Sequence, residues 1–503
     1  MSTITDSFNN FTLKLMKNIF TLTLAALAAW SMQARVYTFQ DLAEFENCGV
    51  SQVDGAWVIA PNSEMGNKDT LKFDNGQVLR LKSKIQIAEG NTLQVLNNEV
   101  VKFGDGMQIE VLGDIDFAPE DNATFTATDD AVASAKGFFV HGDNSSAVVK
   151  NVLFEYVGLS YGSSAGTGSL TMNNCTFDKY NTKNASGAAL NFCASCDGNV
   201  VENCLFSASQ VSAIANGSNT PVGIVIRNNE FDKNSTQKRN RPQINMSAGG
   251  NHKMIIENNN VIGIGEVTLA GGIAVSNLLG GASNEIVEIR NNHVENNRYG
   301  ITATGGMEVL IGGNYLLNNN FESNPMQGGS GINITDANGN AIAMITGNHI
   351  EGHFWGISII GGKEINVGKT EDPTAADYNP GRNVFINNGC NGQLYDLYNN
   401  SAKTVYAQGN TWNVEVQDAE HIEQVIFHKV DDESLGEVIF MPPKIPIPGD
   451  VNDDGDVNVN DVTLLINMIL GIVEMTEAGD VNASGNIDVN DVTLLINMIL
   501  GVV

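Results

Sequence analysis

The chain has 503 residues, and 27 Lys and Arg against 57 Asp and Glu give it a formal net charge of −30 at pH 7. This length suffices for two or three ordinary domains, or for one elongated repeat domain with a small module. Because contacts with phosphate need Lys and Arg, the composition argues against nucleic acid and anionic membrane surfaces as partners. Six cysteines are too few to make disulfides the main scaffold.

The first 34 residues resemble a secretory signal peptide. Lys14 and Lys17 precede an apolar run over residues 19–30, and Ala34 offers a small residue before a cleavage point. No later stretch is apolar enough to cross a bilayer. We therefore expect a secreted protein, extracellular or at the cell surface, with no transmembrane segment once residues 1–34 are removed.

Residues 35–150 contain runs of alternating apolar and polar residues, such as VLRLKSKIQI and MQIEVLGDIDF. A period of two is typical of strands that bury one face. We expect this segment to form the N-terminal coils of a repeat domain.

A short pattern recurs through residues 151–417, for example as IRNNEF, IRNNHV and ITGNHI. Its copies are 22 to 35 residues apart, which suits strands joined by loops of variable length better than paired helices. The fourth position of the pattern is held by Cys175, Cys204, Asn229, Asn259, Asn292, Asn314, Asn348, Asn383 and Asn410. One amide per turn predicts a parallel β-helix in which these side chains stack about 4.8 Å apart as a ladder.

The cysteines can be placed in the same repeat. Cys175 and Cys204 hold one ladder position in neighbouring turns, so they are expected to stack, either as a thiol pair or as a disulfide. Cys193 and Cys196 form a CxxC pair with no second CxxC in the chain. A local disulfide or two buried thiols are favoured over a redox or zinc site.

A second strand repeats as GIAVS, GITAT, GINIT and GISII, beginning at Gly272, Gly300, Gly331 and Gly356. The isoleucines should point inward, and the glycines should mark a corner. The outward positions carry mainly Asn, Ala, Thr and Ser, and neither Asp nor Glu occurs among them. Asp336, the nearest acid, is expected to be a turn residue.

The strand after the ladder position carries more reactive side chains. Its outward residues include His293 and Glu295, and then His349 and Glu351 on the same face. The two pairs are expected two rungs apart, at about 9 to 10 Å. This is near the upper limit of about 9.5 Å for the carboxylates of inverting glycosidases. The four residues are therefore candidate catalytic groups.

Two other interpretations of this face stay open. Outward residues of a solvated sheet are polar in any case, so the His/Glu pairs are also compatible with an ordinary surface. A glycan-contact surface is the third interpretation, and it would use Tyr315, Trp355 and His353.

With its repeats, the body of the chain resembles the secreted right-handed parallel β-helix proteins of the pectate-lyase-like superfamily. The resemblance implies an all-β solenoid that binds a polysaccharide, and a glycoside hydrolase or polysaccharide lyase if it also cleaves one. The alternative is a non-enzymatic β-helix adhesin or surface-structural protein.

Two short segments follow the repeats. Residues 418–440 are expected to cap the solenoid, with an amphipathic helix over residues 418–429. Residues 441–449, MPPKIPIPG, form a proline-rich linker.

The last segment, residues 450–503, contains the same loop and helix twice and has ten acidic residues and no Lys or Arg. The loops are DVNDDGDVNVND at residues 450–461 and DVNASGNIDVND at residues 480–491, with Gly455 and Gly485 at position 6. Oxygen side chains at positions 1, 3, 5 and 12 around a glycine turn are typical of a calcium loop. VTLLINMILG follows each loop and predicts two helices that pack on each other.

A duplicated loop and helix with Asp at position 12 resembles the dockerin family. The resemblance implies two calcium sites and calcium-dependent docking of residues 450–503 onto a cohesin-type receptor. The implied ligands are Asp450, Asn452, Asp454, Asp456 and Asp461 in the first loop, and Asp480, Asn482, Ser484, Asn486 and Asp491 in the second. Asp456 and Asn486 would contribute backbone carbonyls. Loops that only stabilise the fold, without a partner, are the alternative.

Overall fold

The structure is a computed structural model that describes residues 35–44, 50–53, 56–59, 69–73, 78–81, 85–163, 165, 167–181, 187–444, 447–452, 454–482 and 484–502. The expected signal peptide and Cys48 lie outside these residues. The chain divides into two compact units, residues 1–237 and residues 238–503.

In the first unit the chain visits three parallel sheets in turn. The first sheet contains Val36–Thr38, Thr70–Phe73, Thr92–Val95, Asp114–Phe117, Ala147–Lys150, Leu170–Asn173, Asn199–Glu202 and Ile224–Arg227. The second contains Val50–Val53, Ala56–Ile59, Val78–Leu81, Val100–Phe103, Ala123–Ala127, Val152–Glu155, Thr176–Asp178, Leu205–Ser207 and Glu230–Asp232. The third contains Ile85–Ile87, Gln108–Val111, Gly137–Val140, Gly158–Tyr161, Ala188–Phe192 and Ser212–Asn216. A helix, Phe39–Glu44, follows the first strand, and Val50–Val53 pairs antiparallel with Ala56–Ile59.

The second unit contains the same three kinds of sheet. The first contains Met254–Glu257, Val287–Arg290, Glu308–Gly312, Ile342–Thr346, Glu364–Gly368, Val405–Ala407 and Val438–Ile439. The second contains Asn260–Ile262, His293–Glu295, Tyr315–Leu317, His349–Glu351 and Val384–Ile386. The third contains Ile244–Ser247, Ile273–Asn277, Ile301–Gly305, Ser330–Asp336, Trp355–Gly361, Leu397–Asn399 and Ile426–Phe427. Gly389–Cys390 and Gln393–Leu394 form a small hairpin, and Pro325–Gln327 is a 3₁₀ turn.

The core of each unit comes from alternation along these strands. In Thr70–Phe73, for example, Leu71 and Phe73 are buried while the two residues between and before them are partly exposed. Identical inward positions on successive rungs stack directly. In the first unit Phe154, Phe177, Phe206 and Phe231 form a column with ring centroids 4.4, 5.0 and 5.0 Å apart. The parallel β-helix expected from the sequence is confirmed.

The asparagine ladder is also confirmed. In the second unit each ladder amide accepts the backbone N–H of the one before it, at 3.0, 3.0, 3.0, 3.0 and 2.9 Å, through Asn259, Asn292, Asn314, Asn348, Asn383 and Asn410. All six are at most 2% exposed. Their Nδ2 groups donate to carbonyls of the turn, as Asn314 does to Ile289 at 2.9 Å. Buried backbone groups at the bend are thereby paired.

A second ladder, five residues further along each turn, was missed from the sequence. The N–H of Asn297 donates to Oδ1 of Asn319 at 3.0 Å, and the N–H of Asn319 donates to Nδ1 of His353 at 3.1 Å. The N–H of His353 in turn donates to Asn388, at 3.1 Å. Burial lowers the pKa of His353 to about 4, which keeps Nδ1 available as an acceptor. His353 is 0% exposed, so its expected contact with a glycan is wrong: its imidazole stands in for a ladder amide.

The helix expected over residues 418–429 is much shorter. It comprises Ala419–Ile422 and a 3₁₀ turn at Glu423–Val425, after which Ile426–Phe427 pairs in parallel with Leu397–Asn399. Hydrogen bonding to the edge of the last rung outweighs the helical pattern beyond Val425. The segment therefore supplies a further strand as well as a helical turn.

The C-terminal helices are Val459–Ile469 and Val489–Ile499, with a 3₁₀ turn at Glu477–Gly479 between them. They pack on each other as predicted, around a core of Val451, Leu465, Met468 and Leu495. Among the described residues, no helix has both the length and the hydropathy needed to cross a bilayer.

Candidate functional site

A groove of about 420 Å³ lies on the third sheet of the second unit. Its floor is one row of outward residues that the strand register places side by side: Asn245, Ala274, Thr302, Asn333, Ser358 and Tyr398. This is the GIxIx strand of the sequence, and the alternation that buries its isoleucines turns these residues outward. The row expected to lack acids is thus the floor of a concave surface.

Hydroxyl and amide groups on this floor bond to one another. Oδ1 of Asn333 accepts from Thr302 Oγ1 at 3.0 Å and from Thr335 Oγ1 at 2.7 Å. Its Nδ2 donates to Ser358 Oγ at 2.7 Å, and Ser358 Oγ lies 2.8 Å from Ser330 Oγ. Since a hydroxyl oxygen has two lone pairs and an amide nitrogen two N–H groups, this network retains capacity for a ligand.

One wall of the groove is held by a buried ion pair. Nε of Arg298 lies 2.7 Å from Oε2 of Glu322, and the two side chains are 11% and 2% exposed. Although burial raises the pKa of Glu322, hydrogen bonds from Asn324 and the charge of Arg298 bring it below its usual value. The guanidinium also donates to Asn240, at 2.9 Å, and to the carbonyl of Gln327. Arg298 therefore fixes the wall segment that carries Pro325–Gln327.

Aromatic rings close one end of the groove. The indole of Trp355 donates to the carbonyl of Pro325 at 2.8 Å. Its ring centroid lies 4.8 Å from that of Tyr395 and 4.7 Å from that of Tyr398. Tyr398 stacks on Phe427 at 4.6 Å. Their partly exposed ring faces offer apolar surface beside the polar floor.

The His/Glu face lies on a different sheet from the groove, the second sheet of the second unit. His293 pairs in register with Tyr315, and Tyr315 with His349, so the two His/Glu pairs are two rungs apart as expected. Each histidine Nε2 contacts its own glutamate, at 3.0 Å to Glu295 and 2.8 Å to Glu351. Tyr315 lies between the imidazoles, with ring centroids 5.2 and 4.3 Å away. The structure therefore brings the four candidates onto one face but separates them from Trp355.

In the first calcium-type loop, the position-12 carboxylate connects the loop to its helix. Asp461 is 0% exposed, and its Oδ1 accepts from the N–H groups of Val451 and Asn452 at 2.8 and 3.0 Å. Its Oδ2 accepts from the N–H of Asn458 at 2.8 Å, which completes a capping box. At the turn, Asp450 Oδ2 accepts from the N–H of Gly455 at 2.8 Å.

The other first-loop candidates bond within the same turn. Asn452 donates to Asp454 Oδ2 at 2.8 Å, and the N–H of Asp456 donates to Asp454 Oδ1 at 2.9 Å. Gly455 has φ +94°, a left-handed conformation that glycine adopts without strain. The side chains at positions 1, 3 and 5 are therefore drawn together around the turn.

The second loop repeats this arrangement. Asp491 is 0% exposed, and it accepts from Asn482 at 3.0 Å and from Asp488 at 2.8 Å. Asp480 accepts the N–H of Ser484 at 2.8 Å. The Ser484 hydroxyl donates to the carbonyl of Asn486 at 3.2 Å.

The donor chemistry of both loops fits a hard cation, because all the predicted ligand atoms are oxygens. Within the described residues, no three His, Cys, Asp or Glu side chains converge closely enough to form a metal cluster by themselves. In both loops the carboxylates accept hydrogen bonds from backbone N–H groups. The other predicted calcium ligands are Asn and Ser side-chain oxygens and backbone carbonyl oxygens.

The described cysteines are free thiols: Cys175, Cys193, Cys196, Cys204 and Cys390. Of the alternatives for Cys175 and Cys204, the structure has the thiol pair. A hydrogen bond with Cys175 and burial raise the pKa of Cys204 well above its usual value. Burial also raises the pKa of Cys193, to about 11.

The sequence did not reveal the groove, because its described lining contains no acids and a single charged residue, Arg298. From the sequence, Trp355 is assigned to a glycan-contact surface on the His/Glu face, whereas the structure places it in the groove. The signal that was available is the run of small polar residues at one outward position of successive GIxIx strands.

Two family models match parts of the chain. Residues 161–343 match the right-handed β-helix region and residues 448–500 match the dockerin type I domain. The fold is thus a right-handed parallel β-helix with a dockerin-type C-terminal module. Such a module implies calcium binding, a cohesin partner and an extracellular or cell-surface location.

No curated protein matches the chain. Among solved structures, the chain is similar to a point mutant of the periplasmic alginate epimerase AlgG, with 12% identity over 81% of this chain and 83% of that chain, and a TM-score of 0.41. The AlgG structure without that substitution has 11% identity over the same shares and a TM-score of 0.34.

Proposed function

We propose that the second unit binds a polysaccharide in the groove on its third sheet, and that residues 450–503 anchor the protein to a cohesin-type receptor. The observation that carries the proposal is the combination of a concave row of hydroxyls and amides with an aromatic end. Sugar hydroxyls donate and accept hydrogen bonds as the floor groups do, and the apolar faces of sugar rings match aromatic surface.

The groove supports binding better than cleavage. No Asp, Glu or His belongs to its described lining, and glycoside hydrolysis normally uses two carboxyl groups. The candidate pairs His293/Glu295 and His349/Glu351 lie on another sheet. Each glutamate there is already paired with its histidine.

The anchoring half of the proposal assigns two calcium sites. Their ligands are Asp450, Asn452, Asp454, Asp456 and Asp461, and Asp480, Asn482, Ser484, Asn486 and Asp491. Ser484 replaces a carboxylate, so the second site carries less negative charge and binds calcium more weakly. Calcium supplies the positive charge that holds these oxygens together. The chain itself contributes the glycine turns and the buried carboxylates of Asp461 and Asp491.

We also propose a role for each of the other segments defined by the sequence. Residues 1–34 direct secretion, residues 35–150 and 151–417 form the solenoid, and residues 418–440 close it. Residues 441–449 connect it to the calcium module.

Affinity electrophoresis of the full chain tests binding, with pectin, alginate, xylan and fructan in the gels. We expect at least one polysaccharide to retard the protein, and we expect Trp355→Ala to abolish the retardation. Tyr315→Ala is the matched control, since it removes an exposed aromatic ring from the His/Glu face and should leave binding intact.

The same samples are assayed for new reducing ends and for unsaturated uronates. Binding without either product is the expected result. Product formation that is lost on His293→Ala or Glu351→Gln would establish cleavage at the His/Glu face instead. Retardation by none of the polysaccharides would favour the adhesin or surface-structural alternative.

A further inference from the structure

We infer that the groove takes an uncharged polysaccharide and discriminates against polyuronates. This inference rests on the proposed function, because it names the class of glycan for the same site.

Within the described lining of the groove, no cation is free to pair with a uronate. Arg298 is the one charged residue in the described lining. Its guanidinium already contacts Glu322, Asn240 and the carbonyl of Gln327, and its side chain is 11% exposed. A carboxylate entering the groove would therefore lose its hydration without gaining an ionic partner, which is unfavourable.

The described lining is also unsuited to a calcium ion that would bridge the protein and a uronate. Protein sites for calcium normally include Asp or Glu carboxylates, and the described lining contains neither residue. Glu322 is 2% exposed and is held by Arg298. Asp336, the acid nearest in sequence to the floor strand, accepts the N–H groups of Asn338 and Ala341 at 3.0 and 2.6 Å. It serves as the turn residue that the sequence predicted.

The floor suits a neutral hydroxyl-bearing chain. Thr302 and Thr335 both donate to Asn333, so their oxygens remain acceptors for sugar hydroxyls. The floor runs across six strands, a length of about 24 Å at the usual strand spacing. It is therefore long enough for several consecutive sugars.

The overall charge acts in the same direction. A net charge of −30 repels a polyanion over a range that salt shortens, and it has no such effect on a neutral chain. Discrimination should consequently weaken, but persist, at high ionic strength, because the lack of a cation in the groove does not depend on salt.

Matched polymers give the sharpest test. Polygalacturonate and alginate are each compared with a counterpart whose carboxyl groups have been reduced to alcohols, alongside xylan, mannan, β-glucan and fructan. Affinities of the full chain are measured by affinity electrophoresis at low and high salt, for the wild type and for Trp355→Ala.

We expect a neutral or carboxyl-reduced polymer to bind in a Trp355-dependent way, about tenfold or more tightly than any parent polyuronate. If a parent polyuronate binds as tightly as its reduced form, the inference about charge is wrong while the proposed function stands. If no polymer binds, the proposed function itself fails.

Discussion

The asparagine ladder predicts a large loss of stability for the substitution Asn314→Ala. Asn314 is 1% exposed and lies between two other ladder residues. Its Oδ1 accepts from the N–H and the Nδ2 of Asn292, both at 3.0 Å. Its Nδ2 donates to Ile289 at 2.9 Å and to Asn348 at 2.9 Å.

The magnitude follows from the groups left behind. Alanine would leave the buried N–H of Asn292 and the carbonyl of Ile289 without these partners, and each buried orphan costs about 1 to 3 kcal/mol. With the small cavity that remains, we expect the unfolding free energy to fall by about 3 to 5 kcal/mol.

Urea and thermal unfolding of the full chain measure this loss. Asn338→Ala is the matched control, because Asn338 is exposed and lies in the turn after Ser330–Asp336. Its stability should change by less than about 0.5 kcal/mol. Equal stabilities for Asn314→Ala and Asn338→Ala would refute the argument that the ladder amides pair otherwise buried backbone groups.

Three further predictions concern other parts of the chain. Chelation should unfold residues 450–503 and leave the solenoid folded, and a single calorimetric transition that chelator does not change would contradict this. Burial raises the pKa of Asp396 to about 7, so the folded state favours its protonated form. The stability that Asp396 contributes should be full below about pH 4 and lost as the pH rises to about 7, at up to about 1.4 kcal/mol per pH unit. Asp396→Asn should lack this dependence, and an unchanged slope in urea unfolding between pH 5 and pH 8 would be inconsistent with it. Arg382 donates to the carbonyls of Asp454 and Gly455 at 3.0 and 3.2 Å. Because these bonds hold the turn of the first calcium-type loop, Arg382→Ala should weaken one of the two calcium-binding steps, the one at this loop, by roughly fivefold, worth about 1 kcal/mol. Arg290→Ala serves as the control, and identical calcium titrations of the two variants would disprove the coupling.

Much of the fold follows from local pattern. The ladder residues could be placed from the sequence because one amide recurs in each turn although the repeat length varies. In a solenoid, such a series of amides stacks and pairs the buried backbone groups at the bend. The same logic would have found the second ladder, since Asn292 and Asn297, and Asn314 and Asn319, keep a constant offset of five. It was hidden where His353 replaces an amide, because a histidine in sequence does not disclose whether its ring is buried.

The site was less predictable for a physical reason. Strand alternation correctly turned Thr302 and Asn333 outward, but alternation does not disclose whether an outward row is flat or concave. The concavity depends on Arg298 and Glu322, which are 24 residues apart in sequence and meet only in the folded unit. Tertiary contacts also changed a local prediction after Val425. There, strand pairing with the last rung replaces the helix that the local pattern predicted.

If polysaccharide binds against Trp355, intrinsic fluorescence should report the contact. Trp412 is 2% exposed, and Trp57 belongs to the strand Ala56–Ile59 of the first unit, so a ligand in the groove should alter emission mainly through Trp355. We expect a polysaccharide that binds the full chain to change the emission of the wild type and of Trp57→Phe, and we expect Trp355→Phe to lose this change. Binding that leaves the emission unaltered, or a change that persists in Trp355→Phe, would show that the ligand does not lie against Trp355.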